Sequence, residues 1–434
     1  MNTNILSTVQ DFLNKLETRL AQTLVDLSGF DAQQQFELLR PKIANITDEE
    51  RLAHKLLRSK ETGRPIRVKY GIDPTGSAIH LGHIVPVILL RRFQQMGHHI
   101  IFLIGDFTAS IGDPTGRIMN RPVLTQDEIM SNMESYCDQI KFLIDLNKAE
   151  IRYNSEWLEN YKLFDFLQIL SKQTVSSAMQ RDDFRNRESV TRAELLYSTL
   201  MGIDSCVLES EIELGGNDQL LNFMDVKRIT HSAGKEPQIG ITTPILQGTN
   251  GNGQKMSKSA GNFIALTDSP SEIFGKIMSI PDAIMEEYFK LLTDITNEEW
   301  LKISDFMNSG SVNPMLVKRL LARVIVTMIA GSHEIAVEAE NSFIELFSKK
   351  HLPEDMAVLE IDMNNVKDWV DILTLSGCAK TRSEAKRQIE SGSVKVVVEK
   401  ETSKITEVSS LFPQSKTFVL RVGKRQFVQI TMCS

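Results

Sequence analysis

Hydrophobic positions change period several times along the chain. From Ile5 to Leu39 apolar residues recur at helical spacing, with Val9, Phe12, Leu13 and Leu16 followed by Leu20 and Leu24. This predicts helices that pack on the main body or on a partner. Thr47-Asp48-Glu49-Glu50 predicts a further helix with a hydroxyl cap and an acidic first turn. The period becomes two between Arg67 and Ile72, where Val68, Tyr70 and Ile72 share a face, and an apolar segment then runs from Leu81 to Phe93. That order predicts strand, glycine-rich turn and helix. The run from Ile100 to Ile104 is continuously apolar. It suits a strand buried on both faces of a parallel sheet, reached by a right-handed crossover.

Further on, Asp127 to Leu170 reads as mostly helical, interrupted by a short strand within Ile151–Trp157. A helix from Leu195 to Asp204 places Tyr197, Met201 and Asp204 along one side. Strands are predicted from Val207 to Leu214 and from Pro237 to Leu246. Ser269 to Phe347 carries long helical periodicity without strand alternation. After about Pro353, Thr381-Arg382-Ser383-Glu384 has capping-box spacing and opens a helix that ends near Gly392. Strands follow at Val394–Val398, Thr417–Val422 and Phe427–Ile430. The fold class is α/β, with a Rossmann-like parallel-sheet domain, then a helical domain and a small α+β domain.

Composition narrows this little: 434 residues, 41% hydrophobic and 24% charged, are enough for several domains. The net charge of −7 means that any nucleic-acid contact depends on local basic patches. Cys137, Cys206, Cys378 and Cys433 lie far apart and suggest neither zinc nor a disulfide framework. They fit a reducing, cytoplasmic setting. No signal peptide or membrane span is read from the pattern.

Candidate chemistry concentrates where strands end. The turn from Tyr70 to His83 contains Gly71, Gly76 and Gly82, which let backbone N–H groups approach an anion at a helix start. His80 and His83 share a face there and can donate hydrogen bonds to developing phosphate charge. Taken alone, they could equally be surface or core histidines. Lys255-Met256-Ser257-Lys258-Ser259, flanked by glycines, suits a mobile clamp on polyphosphate or, alone, a solvated loop. Asp113 is either a plain turn residue or an ammonium ligand at the end of a buried strand. Asp204, a carboxylate on an apolar helix face, requires a partner. Asp218 and Gln219 follow a strand and are available to a ribose and a polar group. Lys380, Arg382, Lys386 and Arg387 lie on the terminal helix, as solvated surface or as an RNA-backbone patch.

The pair His80-Leu81-Gly82-His83 and Lys255–Ser259 resembles the two signatures of class I aminoacyl-tRNA synthetases. With Gly71-Ile72-Asp73-Pro74-Thr75, Ile111-Gly112-Asp113-Pro114-Thr115-Gly116 and Gly215-Gly216-Asn217-Asp218-Gln219, the chain from about Ile66 to its end resembles bacterial-type tyrosyl-tRNA synthetases. The resemblance implies activation of L-tyrosine with ATP to tyrosyl-adenylate, and transfer of tyrosine to the 3′ end of tRNA(Tyr). It implies Asp73 and Asp218 on the adenosine side, with Asp218 at the ribose. Thr75, His80 and His83 would meet the ATP phosphates, with Gly82, Met256 and Ser257 also in the ATP site. Asp113 and Tyr197 would bind the substrate ammonium, Asp204 its phenol, and Gln219 would sit near its carboxylate. Arg117, Arg121, Lys255 and Lys258 would close on pyrophosphate.

Magnesium is expected with ATP, without a nameable protein ligand. The implied domains are a helical extension at 1–64, a catalytic domain at 65–265 with a dimerisation insertion at about 120–200, a helical domain at 266–350 and a tRNA-binding domain at 355–434. A homodimer is expected through roughly Leu124 to Leu170. Three positions depart from the family pattern. Met201 replaces a glutamine that holds the ammonium, and a thioether cannot replace an amide there. Lys69 stands where one branch has a phenol-binding tyrosine and another tolerates lysine. Val396-Val397-Val398-Glu399 replaces an asparagine-glycine turn in the tail. These departures keep two alternatives open, a paralogue that activates another aromatic amino acid and a catalytically silent RNA-binding protein.

Overall fold

The structure is a computed structural model that describes residues 3–22, 24–74, 79–113, 125–179, 181–185, 189–345, 356–362, 366–398, 401–410, 412–413, 415, 417–423 and 426–433. The chain forms two compact units, Met1–Glu340 and Asn341–Ser434.

The first unit opens with α1 (Thr3–Leu20) and α2 (Ala32–Leu39), followed by β1 (Asn45–Ile46) and α3 (Glu49–Thr62). Helix α1 ends before Leu24, which is exposed, while Val9, Leu13, Leu16 and Leu20 are buried. The α3 cap is Asp48 rather than the predicted hydroxyl: its carboxylate accepts from the Arg51 N–H at 3.3 Å. The Thr47 hydroxyl instead accepts from the Gly240 N–H at 2.9 Å, because its segment runs on from sheet strand β1.

Next come β2 (Arg67–Ile72), α4 (Leu81–Gln95), β3 (His99–Ile104), α5 (Asp106–Ala109), α6 (Gln126–Ile140), β4 (Ala149–Tyr153) and α7 (Ser155–Leu158). Short helices α8 (Leu163–Leu170), α9 (Val175–Met179) and α10 (Asp182–Arg185) precede α11 (Arg192–Leu208), β5 (Ile212–Gly216), α12 (Leu220–Ser232) and β6 (Ile239–Thr243). The strand predicted from Val207 starts only at Ile212. Val207 and Leu208 complete α11, which ends at Glu209 in the left-handed conformation.

The six-stranded sheet has the order β1-β6-β5-β2-β3-β4, all parallel except the edge strand β1. Ile100 to Ile104 is buried throughout, as two-sided coverage of a parallel strand requires. Helix α4 is buried almost all round, in contact with the sheet strands and with the later helix Met285–Leu292. The unit continues as α13 (Pro270–Met278), α14 (Met285–Leu292), α15 (Asn297–Asn308), α16 (Pro314–Ala330) and α17 (His333–Phe343). Arg323 on α16 ties this region to α1, bonding Glu17 at 2.6 and 2.5 Å and Glu340 at 2.9 and 2.8 Å.

The second unit holds β7 (Ala357–Asp362), α18 (Trp369–Leu375), α19 (Arg382–Glu390), β8 (Val394–Val398), β9 (Glu401–Ile405), β10 (Thr417–Val422) and β11 (Gln426–Cys433). Its sheet order is β7-β11-β10-β8-β9, packed on Trp369, Leu373, Ile389, Phe418 and Leu420. The capping box predicted at Thr381 is only half formed. Thr381 accepts from the Glu384 N–H at 3.2 Å, but the Glu384 carboxylate reaches the Lys380 N–H at 2.8 Å.

Candidate active site

The sheet order reverses between β2 and β5, since the chain leaves β2 for β3 on one side and reaches β5 on the other. Ligands of open parallel sheets bind beyond the strand ends at such a point. A cleft of about 620 Å³ opens there, bounded by the ends of β2 and β5, the start of α4, helix α11 and the Lys255–Ser259 loop.

At its mouth, the chain before α4 and the segment after the lysine loop run side by side. The Leu81 N–H donates to the Ile264 carbonyl at 3.0 Å, and the Leu266 N–H to the Ile79 carbonyl at 2.9 Å. His80 caps α4, its Nδ1 accepting from the Gly82 N–H at 3.2 Å, while His83 Nδ1 accepts from the His80 N–H at 3.2 Å. With both Nδ1 atoms accepting, each neutral ring carries its proton on Nε2. The rings stack with centroids 3.7 Å apart. Burial pushes His80 down to about 3, aided by His83 and Lys258, and pushes His83 down to about 4, aided by Lys258 and Lys255. Both imidazoles are therefore neutral donors near pH 7. Gly82 permits this packing, because a Cβ there would lie 3.0 Å from the His80 ring and 3.7 Å from Met256 Cβ.

Lys255 and Lys258 are exposed at the rim, and Met256 is buried beneath them. Asn262 shapes this loop, accepting from the Ser257 N–H at 2.8 Å and donating to the Lys255 carbonyl at 3.2 Å. Asp218 lies at the cleft edge against Gly216, where a Cβ would meet its carboxylate at 2.6 Å.

Midway down are Asp73, Asp113, Tyr197 and Gln219. The Tyr197 hydroxyl donates to Asp73 at 2.8 Å, and Thr108 donates to the other Asp73 oxygen at 2.9 Å. Gln219 donates to Asp113 at 2.6 Å. Burial, reinforced by Asp113, raises Asp73 to about 7. Both Asp73 oxygens are thus engaged, one by Tyr197 and one by Thr108. Gly105 makes room for it, since a Cβ there would lie 2.1 Å from its carboxylate.

Asp204 closes the bottom of the cleft. It accepts from Trp157 Nε1–H at 2.9 Å and from Asn154 Nδ2–H at 3.3 Å, and burial raises it to about 6 against the pull of Lys69. The Lys69 ammonium bonds Ser205 at 2.8 Å and Glu213 at 2.9 Å, with all three side chains buried. Met201 also lines the cleft.

The family profile described as tRNA synthetases class I (W and Y) matches residues 60–348. The chain is 39% identical over 409 residues to the tyrosine–tRNA ligase of Carboxydothermus hydrogenoformans, covering 92% of this chain and 98% of that protein. It is 40% identical over 403 residues to that of Thermotoga maritima, with the same coverage. The chain belongs to the tyrosine–tRNA ligase family of class I synthetases.

The family fold is equally clear in solved structures. A tyrosyl-tRNA synthetase from Archaeoglobus fulgidus complexed with L-tyrosine is 23% identical, with TM-score 0.58 over 71% of this chain and 99% of that one. A truncated mitochondrial enzyme from Aspergillus nidulans is 22% identical, with TM-score 0.60, 77% of this chain and all of the other being covered.

The cleft of this family member brings together His80, Gly82, His83, Asp73, Asp113, Tyr197, Met201, Asp204, Asp218, Gln219 and the lysine loop. Thr75, Arg117 and Arg121 lie outside the described residues. Lys380, Arg382, Lys386 and Arg387 are exposed on or beside α19 in the second unit. Arg382 is partly neutralised there, paired with Asp371 and, at 3.6 Å, with Asp368. Sequence reasoning missed Asn154, Trp157, Asn262 and Glu213. Asn154 and Trp157 lie within the segment Ile151–Trp157 that is predicted to hold a short strand, and the strand in fact spans Ala149–Tyr153, which leaves both residues just beyond its end.

Proposed function

We propose that the chain is a tyrosine–tRNA ligase, acting on L-tyrosine, ATP and tRNA(Tyr). One observation carries the reading: a single cleft grades from neutral imidazoles and lysines at its mouth, through paired carboxylates, to a buried acceptor at its base. Tyrosine carries the matching groups in that order. Its phenol donates to Asp204, its ammonium meets Asp73, Asp113 and Tyr197, and its carboxylate points to the mouth beside Gln219. With phenylalanine, buried Asp204 keeps its Trp157 and Asn154 donors but lacks the phenol, which makes the site selective for the hydroxyl; the handling of phenylalanine by this enzyme class is itself a standard instance of that rule.

The tyrosine carboxylate attacks the α-phosphate of ATP, forming the mixed anhydride and releasing pyrophosphate. No side-chain nucleophile is needed. His80 and His83 donate from Nε2–H to the pentacoordinate phosphate, and Lys255 and Lys258 neutralise the departing pyrophosphate. Asp218 holds the ribose. Thr75, Arg117 and Arg121 complete the phosphate contacts. Magnesium, if bound with the nucleotide, would neutralise phosphate charge, and no residue of the chain is named as its ligand. The terminal ribose hydroxyl of tRNA then takes the tyrosyl group and AMP leaves, with Lys380, Arg382, Lys386 and Arg387 on the RNA backbone. The same reading makes the protein cytoplasmic and homodimeric.

Two features favour a second reading, activation of a ring-modified aromatic amino acid. Met201 supplies no polar atom to the ammonium, and Glu213 Oε2 is buried next to the base of the cleft without a hydrogen-bond partner. Incubation with labelled tyrosine, ATP and bacterial tRNA tests the main reading. Tyrosine esterified to tRNA is the expected product; charging with another amino acid alone, or none, would overturn it.

A further inference from the structure

The lysine loop begins after Gln247, and every polar group of that residue is engaged. Its main-chain N–H donates to Glu287 Oε1 at 2.7 Å and its side-chain Nε2–H to Glu287 Oε2 at 2.6 Å. Its carbonyl accepts from the Tyr288 hydroxyl at 2.9 Å, and its side-chain oxygen accepts from the Gly253 N–H across the loop at 3.2 Å. Glu287 and Tyr288 are neighbours on α14, and Tyr288 is fully buried.

The far end of α14 is fastened to the helix that carries the histidines. Asp294, two residues past α14, pairs with Arg91 at 3.0 Å and Arg92 at 2.5 Å on α4. Burial opposes its ionisation, but Arg91, Arg92 and Lys42 hold its carboxyl below the usual range. Lys42 caps the same helix end, bonding the carbonyls of Lys290 at 2.9 Å and Thr293 at 2.6 Å. Helix α14 thus joins the root of the lysine loop to α4 by charge-assisted bonds at both ends.

We infer that Glu287 is a positioning residue for the first half-reaction: through Gln247 it sets where the lysine loop stands relative to His80 and His83. The inference rests on the ligase reading above. A glycine-rich loop has little intrinsic preference for one conformation, so its lysines reach pyrophosphate without an ordering cost only if its root is fixed. A carboxylate that takes two N–H donors from one residue fixes both the position and the orientation of that root. Pyrophosphate has left before tRNA is charged, so the second half-reaction does not need this order.

The test compares the wild-type chain with Glu287→Ala and Glu287→Gln, the latter keeping the volume and one acceptor. In Glu287→Ala, adenylate formation falls by about tenfold to a hundredfold. KM for ATP rises, KM for tyrosine is unchanged, and single-turnover transfer from preformed adenylate to tRNA keeps its rate. Glu287→Gln recovers part of the loss. Amide hydrogen exchange rises in residues 248–261 of Glu287→Ala and not in α4. An equal fall in both half-reactions, a matching rise in KM for tyrosine, or a loop whose exchange is unchanged overturns the inference. A wild-type protein silent with tyrosine overturns the ligase reading and the positioning role with it, whereas an active wild type with an unaffected variant overturns the positioning role of Glu287 alone.

Discussion

Asp73 shows how the site trades stability for binding. Its folded value of about 7 lies above the ordinary 3.8, so the folded state holds this proton more tightly than the unfolded chain does. Its contribution to stability is therefore full below about pH 4 and is lost as pH rises through about 7. An incoming ammonium reverses the preference by stabilising the carboxylate. KM for tyrosine is expected to fall about tenfold between about pH 6 and about pH 8; a flat profile would place the ammonium elsewhere. Met201→Gln, which restores an amide acceptor to the wall of the cleft, is expected to lower KM for tyrosine about fivefold, measured by steady-state exchange. These roles were only partly legible in the sequence. Glycine and histidine spacing marked the mouth of the cleft, but Trp157 and Asn154 reach Asp204 from elements nearly fifty residues away, a contact that no local pattern encodes.

Elements were easier to read than their ends. Strands β2 and β3 and helix α4 follow from apolar period, because burial fixes which face each residue takes. Their boundaries depend on competition between neighbours: Asp48 displaces Thr47 as a cap because the Thr47 hydroxyl is drawn to Gly240. Strands β1, β7 and β9 lie outside the predicted strands; β1 is only two residues long and β7 is largely exposed, so neither shows clear alternation. Helix α18 offers a prediction at this scale. Trp369 is fully buried, donates to the Ser410 carbonyl at 2.8 Å and packs 5.0 Å from Phe412. Trp369→Ala is expected to cost the second unit about 3–5 kcal/mol. Calorimetry would show an early transition, and tRNA charging would fail while tyrosine-dependent exchange persists.

At the scale of the whole molecule, an apolar helix face stands uncovered among the described residues. Helix α8 buries none of its residues although it is mostly apolar, and Leu163, Phe164 and Leu167 are exposed at 71%, 69% and 53%. Contiguous apolar surface of this kind marks an interface. Helix α8 lies within the segment, roughly Leu124 to Leu170, where a homodimer contact is expected from sequence, so a second copy of the chain is the proposed occupant. Phe164→Asp, which buries a charge at the centre of that contact, is expected to convert a dimer to a monomer in sedimentation. A wild-type monomer, or a variant dimer, would remove α8 from that role.

Amino-acid-dependent ATP–pyrophosphate exchange reads out whether this cleft activates tyrosine with ATP. With tyrosine, phenylalanine, tryptophan and ring-modified tyrosines in parallel, strong exchange is expected with tyrosine and far weaker exchange with phenylalanine, a discrimination for which this enzyme class is the standard example. No exchange with tyrosine, or equal exchange with phenylalanine, would contradict the ligase reading.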